Sequence, residues 1–303
     1  MRNHYFFKYS LHLLGILALL VAGLAAFTPG LTGPFLLDDH PNIAPAALST
    51  LSWDEIRQTI FSGRFGGISR SLTKLTFGLT QYTSGYDPGA FKYQNLMLHL
   101  ANGLLIYWLG ATLLRLQSPP TQCFSYWPAL IIAAIWTLHP LQVSTVLYAV
   151  QRLVILSAFF SLLAAVLYLE GRLLISTKPR LGLALICFAM LFFWPLALLS
   201  KENAVLLAPS LLLIEWIISR FQMPKGPMRR TYRFMLITTV LFPIVGSVLY
   251  VVLNFESLIA GYLGRDFTMF ERLLTQTHVL WLYLGSILFP VPSRMGLFQD
   301  GIA

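Results

Sequence analysis

Apolar residues occur along this chain in long runs that short polar segments separate. Each run approaches the roughly 20 residues that an α-helix needs to cross about 30 Å of hydrocarbon. The apolar stretch 181–219 is too long for one helix, so the chain must turn near Ser200 to Asn203. The pattern predicts about eight spans, at 10–27, 93–114, 128–149, 153–174, 181–199, 203–219, 233–254 and 274–290.

The predicted fold is therefore all-α, a polytopic transmembrane bundle that forms a single domain over residues 1–303. Composition agrees, since 56% of the residues are hydrophobic, 11% are charged, and the mean hydropathy is +0.69. A soluble domain has about 45–50% apolar and about 25% charged residues. These values exclude an ordinary soluble enzyme and a disordered chain. The two cysteines, Cys123 and Cys187, are expected at different depths, which argues against a disulfide.

One long segment, 28–92, connects the first two predicted spans, and long loops in compact proteins are usually functional. Ser52 and Glu55 have the spacing of a capping box, which predicts a helix that runs to about Phe61. Apolar residues share one stripe of 70–82, as in a helix that lies in the membrane interface. The sequence therefore predicts two interfacial helices in this loop.

Charge gives the predicted orientation. The chain has 21 Lys and Arg against 12 Asp and Glu, a net charge of +9. With the first span as a retained anchor and the N-terminus in the cytoplasm, the segments on the inner side hold most of the positive excess, as the positive-inside rule requires. The loop 28–92 then lies on the outer side. The basic excess is expected to face anionic lipid head groups, and no nucleic-acid partner is expected.

Two adjacent carboxylates, Asp38 and Asp39, follow the first span directly. Like charges in a poorly solvated site raise the pKa of one carboxyl, which yields a general base, or they are neutralised by a cation or metal. A helix cap at Asp39 or a solvated loop is the alternative interpretation. An acid pair without further ligand spacing leaves open whether Mg²⁺ or Mn²⁺ is bound.

Three polar side chains, Asn95, His99 and Asn102, share one face of the second predicted span. Polar groups inside a membrane face the bundle interior or a cavity. For the asparagines, hydrogen bonds between helices are the favoured interpretation, and the role of His99 stays open.

Arg152 and Lys201 lie at the outer ends of two predicted hairpins. A cation such as Arg152 between apolar runs is costly unless it is paired, hydrated or bound to an anion, although it could also reach a lipid phosphate. Cations and carboxylates at one membrane surface suit a reaction between a phosphate-bearing lipid and a hydroxyl nucleophile. The cations would hold the phosphate, and a carboxylate would accept the proton. Further candidate substrate-binding residues are His40, Arg64, Arg70, Lys74, His99, His139, Gln151 and Glu202.

The order and spacing of five short segments resemble the GT-C class of integral-membrane glycosyltransferases. The segments are 37–43, 93–103, 138–143, 151–152 and 200–204. Within that class, the chain is most similar to bacterial relatives of the transmembrane O-mannosyltransferases with tetratricopeptide repeats, although it has no repeat region.

This resemblance implies a GT-C-like bundle, either complete or the N-terminal part of a longer module. It implies an enzyme that moves a sugar from a polyprenyl-phosphate-linked donor to a hydroxyl of a protein or glycan. The active site would face the periplasm from the bacterial inner membrane. Asp38 and Asp39 match the catalytic acid pair, and Arg152 and Lys201 match donor-phosphate positions. The alternative function is a transporter or flippase of polyprenyl-linked lipids, which the absence of an internal repeat disfavours.

Overall fold

The computed structural model describes residues 2–61, 70–117, 126–222, 229–262 and 264–291, and every regular element within them is helical. The predicted all-α class is confirmed. The α-helices are α1 (Arg2–Phe27), α2 (Asp39–Ile43), α3 (Trp53–Phe61), α4 (Ser71–Ser84), α5 (Pro88–Gln117), α6 (Trp127–Thr137), α7 (Gln142–Leu147), α8 (Arg152–Leu174), α9 (Pro179–Phe188), α10 (Trp194–Ser200), α11 (Leu207–Ile217), α12 (Arg229–Leu236), α13 (Phe242–Leu253), α14 (Phe255–Ala260) and α15 (Met269–Leu288).

In the described part of the chain, five helical segments are long and apolar enough to cross a membrane. They are Leu11–Gly30, Pro88–Gln117, Ala149–Leu174, Pro179–Ser200 and Arg229–Leu253. These segments agree with five of the predicted spans. The chain is a helical protein with the features of a multi-pass membrane protein.

The predicted span 128–149 is divided in the structure. Helix α6 ends at Thr137, a turn follows, and the short helix α7 begins at Gln142. The turn contains His139 and Pro140. Proline has no N–H to donate and disfavours helical geometry in the residue before it, so a continuous helix cannot pass this point undisturbed.

Two other predicted spans also differ from the expectation. The interval 203–219 contains a 3₁₀ turn followed by α11, whose 11 residues extend about 16 Å. The last helix, α15, has no buried residue, and its Ile287 carbonyl lies 3.1 Å from Nε2 of His139. An alternating topology predicts Ile287 at the opposite end of the bundle from His139. Since α15 buries no side chain, packing against the bundle does not fix its direction.

Two of the membrane-length segments contain a π-helical turn, at Ala189–Phe193 and at Ile237–Leu241. Each turn is followed after one residue by a proline, Pro195 or Pro243. A proline ring clashes with the carbonyl four residues earlier, and the wider π turn moves that carbonyl away.

Helix α8 is the centre of the bundle and packs against α5, α9 and α10. Its contact with α9 is close, since a Cβ on Gly171 would lie 2.6 Å from the carbonyl oxygen of Gly182. We call the end of the bundle where α8 begins, at Arg152, the loop end, because the first loop covers it. The end where α8 finishes, at Leu174, is the opposite end.

The first loop contains both predicted helices, α3 and α4. The Ser52 hydroxyl accepts the Glu55 N–H at 3.3 Å, as a capping box requires. The Glu55 carboxylate instead accepts from the backbone N–H groups of Ser49 and Thr50, both at 2.8 Å. Helix α4 lies close to the preceding chain, because a Cβ on Gly78 would be 2.6 Å from the Ala46 carbonyl.

Candidate functional site

Asp38 has a fixed backbone and an exposed side chain. Its N–H donates to the Tyr148 hydroxyl at 2.8 Å, and its carbonyl accepts from the Asn42 amide at 2.8 Å. Leu37 precedes it with a φ of 39°, a left-handed conformation that costs a leucine about 1–2 kcal/mol. Among the described residues, no group donates a hydrogen bond to the Asp38 carboxylate. This carboxylate is positioned and open to a reacting molecule.

Asp39 is in a different environment although it is the next residue. It is fully buried, and its two carboxylate oxygens accept the N–H groups of Leu36 at 2.8 Å and Val150 at 2.7 Å. Burial raises the pKa of Asp39, an effect that hydrogen bonds from Leu36, Val150 and Ala149 and the charge of Lys92 oppose. The carboxylate joins the loop to the start of α8. Asp39 is the first residue of α2, and its side chain makes no capping bond to that helix, so neither the cap nor the solvated-loop interpretation describes it. Its carboxylate instead ties the loop to the segment before α8, and the exposed carboxylate of the pair is that of Asp38.

Replacing Asp39 with asparagine is expected to lower the free energy of unfolding by about 1–3 kcal/mol, because one of the two N–H groups would lose its acceptor. The measurement is unfolding of the purified chain in detergent. Asp54→Asn, on the exposed surface of α3, is the control and is expected to have no effect. Equal stability of the Asp39→Asn variant and the native chain would contradict this structural role.

The same variant gives a pH dependence with a defined sign. The folded chain holds the Asp39 proton more tightly than the unfolded chain, whose pKa is near the ordinary value of 3.8. The contribution of Asp39 to stability is therefore greatest below that pH and decreases as pH rises through the raised pKa. The stability difference between the native chain and Asp39→Asn should shrink over this range, and a difference that grows with pH would contradict the assignment.

Lys92 is a residue of the site that the sequence analysis did not select. It is buried at the start of α5, and its Nζ donates to the carbonyls of Gly33 at 2.6 Å and Pro34 at 3.0 Å. It thus fastens the beginning of the loop to α5. The sequence did contain a sign that Lys92 needs a partner, because it lies one turn inside an apolar helix, where an unpaired charge is costly.

Arg152 is 1% exposed and is surrounded by protein groups. Its guanidinium donates to Asn95 Oδ1 at 3.0 Å, to the Thr76 carbonyl at 3.2 Å, to Thr80 Oγ1 at 2.8 Å and to the Phe91 carbonyl at 3.0 Å. The rings of Phe77 and Phe91 lie 5.2 and 5.0 Å from its Cζ.

This environment differs from the expectation that Arg152 contacts a donor phosphate. Its donors are already used by groups of α4 and α5, and a lipid head group has no open approach to a side chain that is almost completely buried. The geometry indicates that Arg152 holds the loop helix α4 against α5 and α8.

A second group of charged residues lies where the N-terminal end of α4 meets the turn after α10. Arg70 forms an ion pair with Glu202 at 3.2 Å, and the Thr73 hydroxyl donates to the Ser200 carbonyl at 3.1 Å. Burial lowers the pKa of Lys201, and the charge of Arg70 lowers it further. The pKa of Lys74 is lowered by burial and by Arg70 in the same way. We call Arg70, Lys74, Lys201 and Glu202 the cation cluster, which has three positive charges and one negative charge.

The other predicted site residues have varied positions. His40 is exposed near Asp38, and its Nδ1 lies 3.0 Å from the Tyr86 hydroxyl. His99 is buried, with its Nε2 2.9 Å from the Thr137 carbonyl, which gives it a structural contact. His139 contacts α15, as described above. Gln151 is half-buried in the turn before α8. Arg64 lies outside the described residues.

The two asparagines of α5 bond across helices, as the sequence interpretation favoured. Asn95 Nδ2 donates to backbone carbonyls of the segment before α8, including Ala149 at 3.2 Å, and Asn102 Nδ2 donates to Ile155 at 3.0 Å. This prediction is confirmed. Asn95 also contributes the oxygen that accepts from Arg152, so the two residues form one network.

An open apolar groove of about 420 Å³ includes Asn203, which directly follows Lys201 and Glu202 of the cation cluster in sequence. Its walls come from α5, α6, α8, the 3₁₀ turn after Lys201, and α11. Most lining residues are apolar, and polar side chains are few. The groove is lined by Ile106, Leu109, Trp136, Val154, Ser157, Ala158, Ser161, Leu162, Ala165, Asn203, Ala204, Leu206, Leu207, Ser210, Leu211 and Ile214. Asn203 lies at the loop end of the groove, where its Oδ1 accepts a hydrogen bond from the Ser157 hydroxyl at 3.2 Å.

Metal binding receives no geometric support from the acid pair, because Asp39 directs its oxygens to backbone N–H groups. Among the described residues, no group of three or more His, Cys, Asp or Glu side chains is arranged to hold a metal ion. Binding of Mg²⁺ or Mn²⁺ by Asp38 or Asp39 stays a hypothesis from the sequence.

These contacts connect the acid pair, Arg152 and the cation cluster through α4 at one end of the bundle. Gln81, near the C-terminal end of α4, donates to the Ile43 carbonyl of α2 at 2.6 Å, and the N-terminal end reaches Ser200. The fold and this end together define a helical, multi-pass membrane protein whose charged loop residues gather at one end of the bundle. None of the family models, curated proteins or solved structures compared with this chain matches it.

Proposed function

We propose that this protein is a membrane glycosyltransferase that moves a sugar from a polyprenyl-phosphate-linked donor to a hydroxyl acceptor. The observation that carries the proposal is the combination of an apolar groove with a cation cluster whose residues Lys201 and Glu202 directly precede the groove residue Asn203. A polyprenyl phosphate combines a long apolar chain with an anionic head, and the groove and cluster offer a matching surface for each part.

The groove suits the apolar chain of the donor. It follows the 3₁₀ turn and then α11 from Asn203 to Ile214, twelve residues, which corresponds to roughly 16 Å at about 1.5 Å for each of the eleven steps. It is open along its side, so a lipid could enter it from the bilayer. The polar end at Asn203 directly follows Lys201 and Glu202 in sequence, which brings the head of such a lipid to the cation cluster.

The charges at the loop end suit a phosphate. The cation cluster has a net charge of +2, and the neighbouring buried cations Lys92 and Arg152 have hydrogen-bond acceptors that are mostly backbone carbonyls. The carboxylates Asp38 and Asp39 oppose this excess only in part. A donor phosphate would add negative charge to a region where cations outnumber carboxylates. The cluster would then stabilise the phosphate as it leaves.

Asp38 suits the role of general base. The acceptor hydroxyl oxygen would attack the anomeric carbon, its proton would pass to the Asp38 carboxylate, and the bond from that carbon to the phosphate oxygen would break. Lys74 and Gln81 lie about 10 Å apart along α4, and Gln81 contacts α2, which begins beside Asp38. A sugar joined to a phosphate has a similar length, so α4 would hold the Asp38 base and the donor phosphate at opposite ends of the sugar phosphate.

The acceptor would approach beside an aromatic group. The ring centroids of Phe35 and Tyr86 lie 4.6 Å apart, and His40 is hydrogen-bonded to Tyr86. Aromatic faces next to a carboxylate suit either a sugar ring or a polypeptide, so a protein and a glycan both remain acceptors under this proposal.

The proposal includes the GT-C-like arrangement and the predicted orientation. The N-terminus would lie in the cytoplasm of a bacterium, and the loop end would face the periplasm from the inner membrane. Beside the five long apolar helices, α6 together with α7, the 3₁₀ turn together with α11, and α15 would supply the three further crossings of the predicted topology. The contact of Ile287 with His139 opposes this for α15, so the eighth crossing has the weakest support.

The test is an assay in liposomes with a labelled polyprenyl-phosphate-linked sugar and a hydroxyl acceptor. We expect label to appear on the acceptor, and Lys201→Gln to weaken donor binding at least tenfold, since it removes a charge from the phosphate end. Arg57→Gln, which removes an exposed cation of α3 that does not belong to the cation cluster, is the matched control. Movement of intact donor across the bilayer without transfer would instead establish the flippase alternative.

A further inference from the structure

A second charged surface lies at the opposite end of the bundle, away from the site. Exposed cations project from the turn between α8 and α9, from the end of α11 and from α12. We call this set the α8/α12 basic surface, and its members are Lys178, Arg180, Arg220, Arg229, Arg230 and Arg233. In the described residues, none of these six forms an ion pair with a carboxylate.

A buried network fixes the elements of this surface relative to one another. The Glu215 carboxylate of α11 accepts from Arg172 of α8 and from the Tyr232 hydroxyl of α12, both at 2.7 Å. Arg172 also donates to the Gln222 carbonyl at 2.7 Å. Because these bonds join α8, α11 and α12 at one end, the cations next to these helix ends are held at the same end of the bundle.

The carboxylates near this end are already neutralised. Glu215 is buried and bound to Arg172, and Glu170 of α8 is bound to Arg115 of α5. The segment 216–255 contains no Asp or Glu at all. The positive charge of the surface is therefore not cancelled by its own surroundings.

The turn that presents Arg220 is held in an unfavourable backbone conformation. Arg220 and Phe221 have φ values of 48° and 52°, which non-glycine residues rarely adopt. The Phe221 N–H donates to the Glu215 carbonyl at 2.8 Å and stabilises this turn. The guanidinium of Arg220 is thus presented from a defined position.

Helix α12 has the distribution of residues of a helix at a bilayer surface. Tyr232, Met235 and Leu236 are buried against the bundle, while Arg229, Arg230 and Arg233 are exposed at the beginning of the membrane-length segment Arg229–Leu253. Basic residues at the end of a span lie at the height of lipid phosphates, where anionic lipids attract them.

We propose that the α8/α12 basic surface binds the head groups of anionic glycerophospholipids in the leaflet that it faces. The cations would contact the phosphates, and the apolar residues that continue α12 into its membrane segment would contact the acyl chains. This site is separate from the proposed donor site and does not depend on the glycosyltransferase proposal.

The test measures binding of fluorescent phosphatidylglycerol to the purified chain in a non-ionic detergent, with phosphatidylcholine as the neutral comparison. The triple variant R229Q/R230Q/R233Q is expected to lose at least tenfold in affinity for phosphatidylglycerol, without a change for phosphatidylcholine. Binding to the native chain should also weaken as salt increases, because exposed charges are screened.

Two controls separate charge from structure. R229K/R230K/R233K retains the positive charge and should bind phosphatidylglycerol within about twofold of the native chain, while Arg57→Gln removes an exposed cation from α3 and should change nothing. Unchanged binding by the glutamine variant would overturn the proposal. Equal loss in the lysine variant, or tight binding of soluble inorganic phosphate in place of lipid, would overturn it as well.

Discussion

Asp38→Asn is expected to reduce sugar transfer by a factor of about 10²–10⁴, the range that general-base catalysis contributes. Asparagine keeps the backbone bonds of this position to Tyr148 and Asn42, and it does not accept a proton at neutral pH. Because the carboxylate has no hydrogen-bond donor among the described residues, the stability of the fold should hardly change. We therefore expect the Asp38→Asn variant to lose sugar transfer while it keeps the stability of the native chain.

The measurement is the initial rate of label transfer from polyprenyl-phosphate-linked sugar, together with thermal unfolding of the same preparation. Asp54→Asn is the matched control, an exposed acid on the same loop that should transfer sugar normally. The comparison with Asp39→Asn is equally informative, since that variant should lose stability. A native rate of transfer by Asp38→Asn would remove this residue from the chemistry.

Arg152→Met is expected to lower the free energy of unfolding by about 3 kcal/mol or more. The change leaves Asn95 Oδ1 without the donor that Arg152 supplies, and it removes one donor each from Thr80 Oγ1 and from the carbonyls of Thr76 and Phe91. A buried group left unpaired costs about 1–3 kcal/mol, and the loss of the guanidinium's packing between α4, α5 and α8 adds to this. Removal of a buried cation without a carboxylate partner offsets part of this cost.

Unfolding in detergent, followed by tryptophan fluorescence, measures the loss, and protease cleavage in the first loop reports the release of α4. Arg57→Met removes an exposed arginine of α3 and is the control. Arg152→Lys should recover little, because a single ammonium group cannot reach the acceptors that the guanidinium fork joins. Native stability of Arg152→Met with weakened donor binding would return Arg152 to the phosphate site.

The fold class and the loop helices could be predicted because they follow from local patterns. Hydropathy indicated the five membrane-length helices, and the amphipathic stripe of 70–82 indicated α4. The break after Thr137 was missed although His139 and Pro140 signalled it, since the apolar character of 128–149 was given more weight. The contact between Ile287 of α15 and His139 joins residues far apart in sequence, so no local pattern indicated it.

The site could be predicted only as a set of residue types at one end of the bundle. Adjacent aspartates look equivalent in sequence, and the bond from Val150, 111 positions later, together with burial, distinguishes the Asp39 carboxylate from the exposed carboxylate of Asp38. The need of Arg152 for partners was foreseen. Its actual partners, among them the Thr76 carbonyl, come from segments far away in sequence, so their identity could not be derived.

Lys92 and Arg152 both fasten the first loop, largely through main-chain oxygens of residues such as Pro34 and Thr76. Every residue type supplies such an oxygen, so the positions that contribute only a carbonyl can diverge during evolution while the attachment persists, whereas Asn95 and Thr80 accept through their side chains. Descendants of a common ancestor would then share the lysine and the arginine but differ at the positions that contribute only a carbonyl. Pairwise covariation would overlook this junction, although it joins the loop to the bundle.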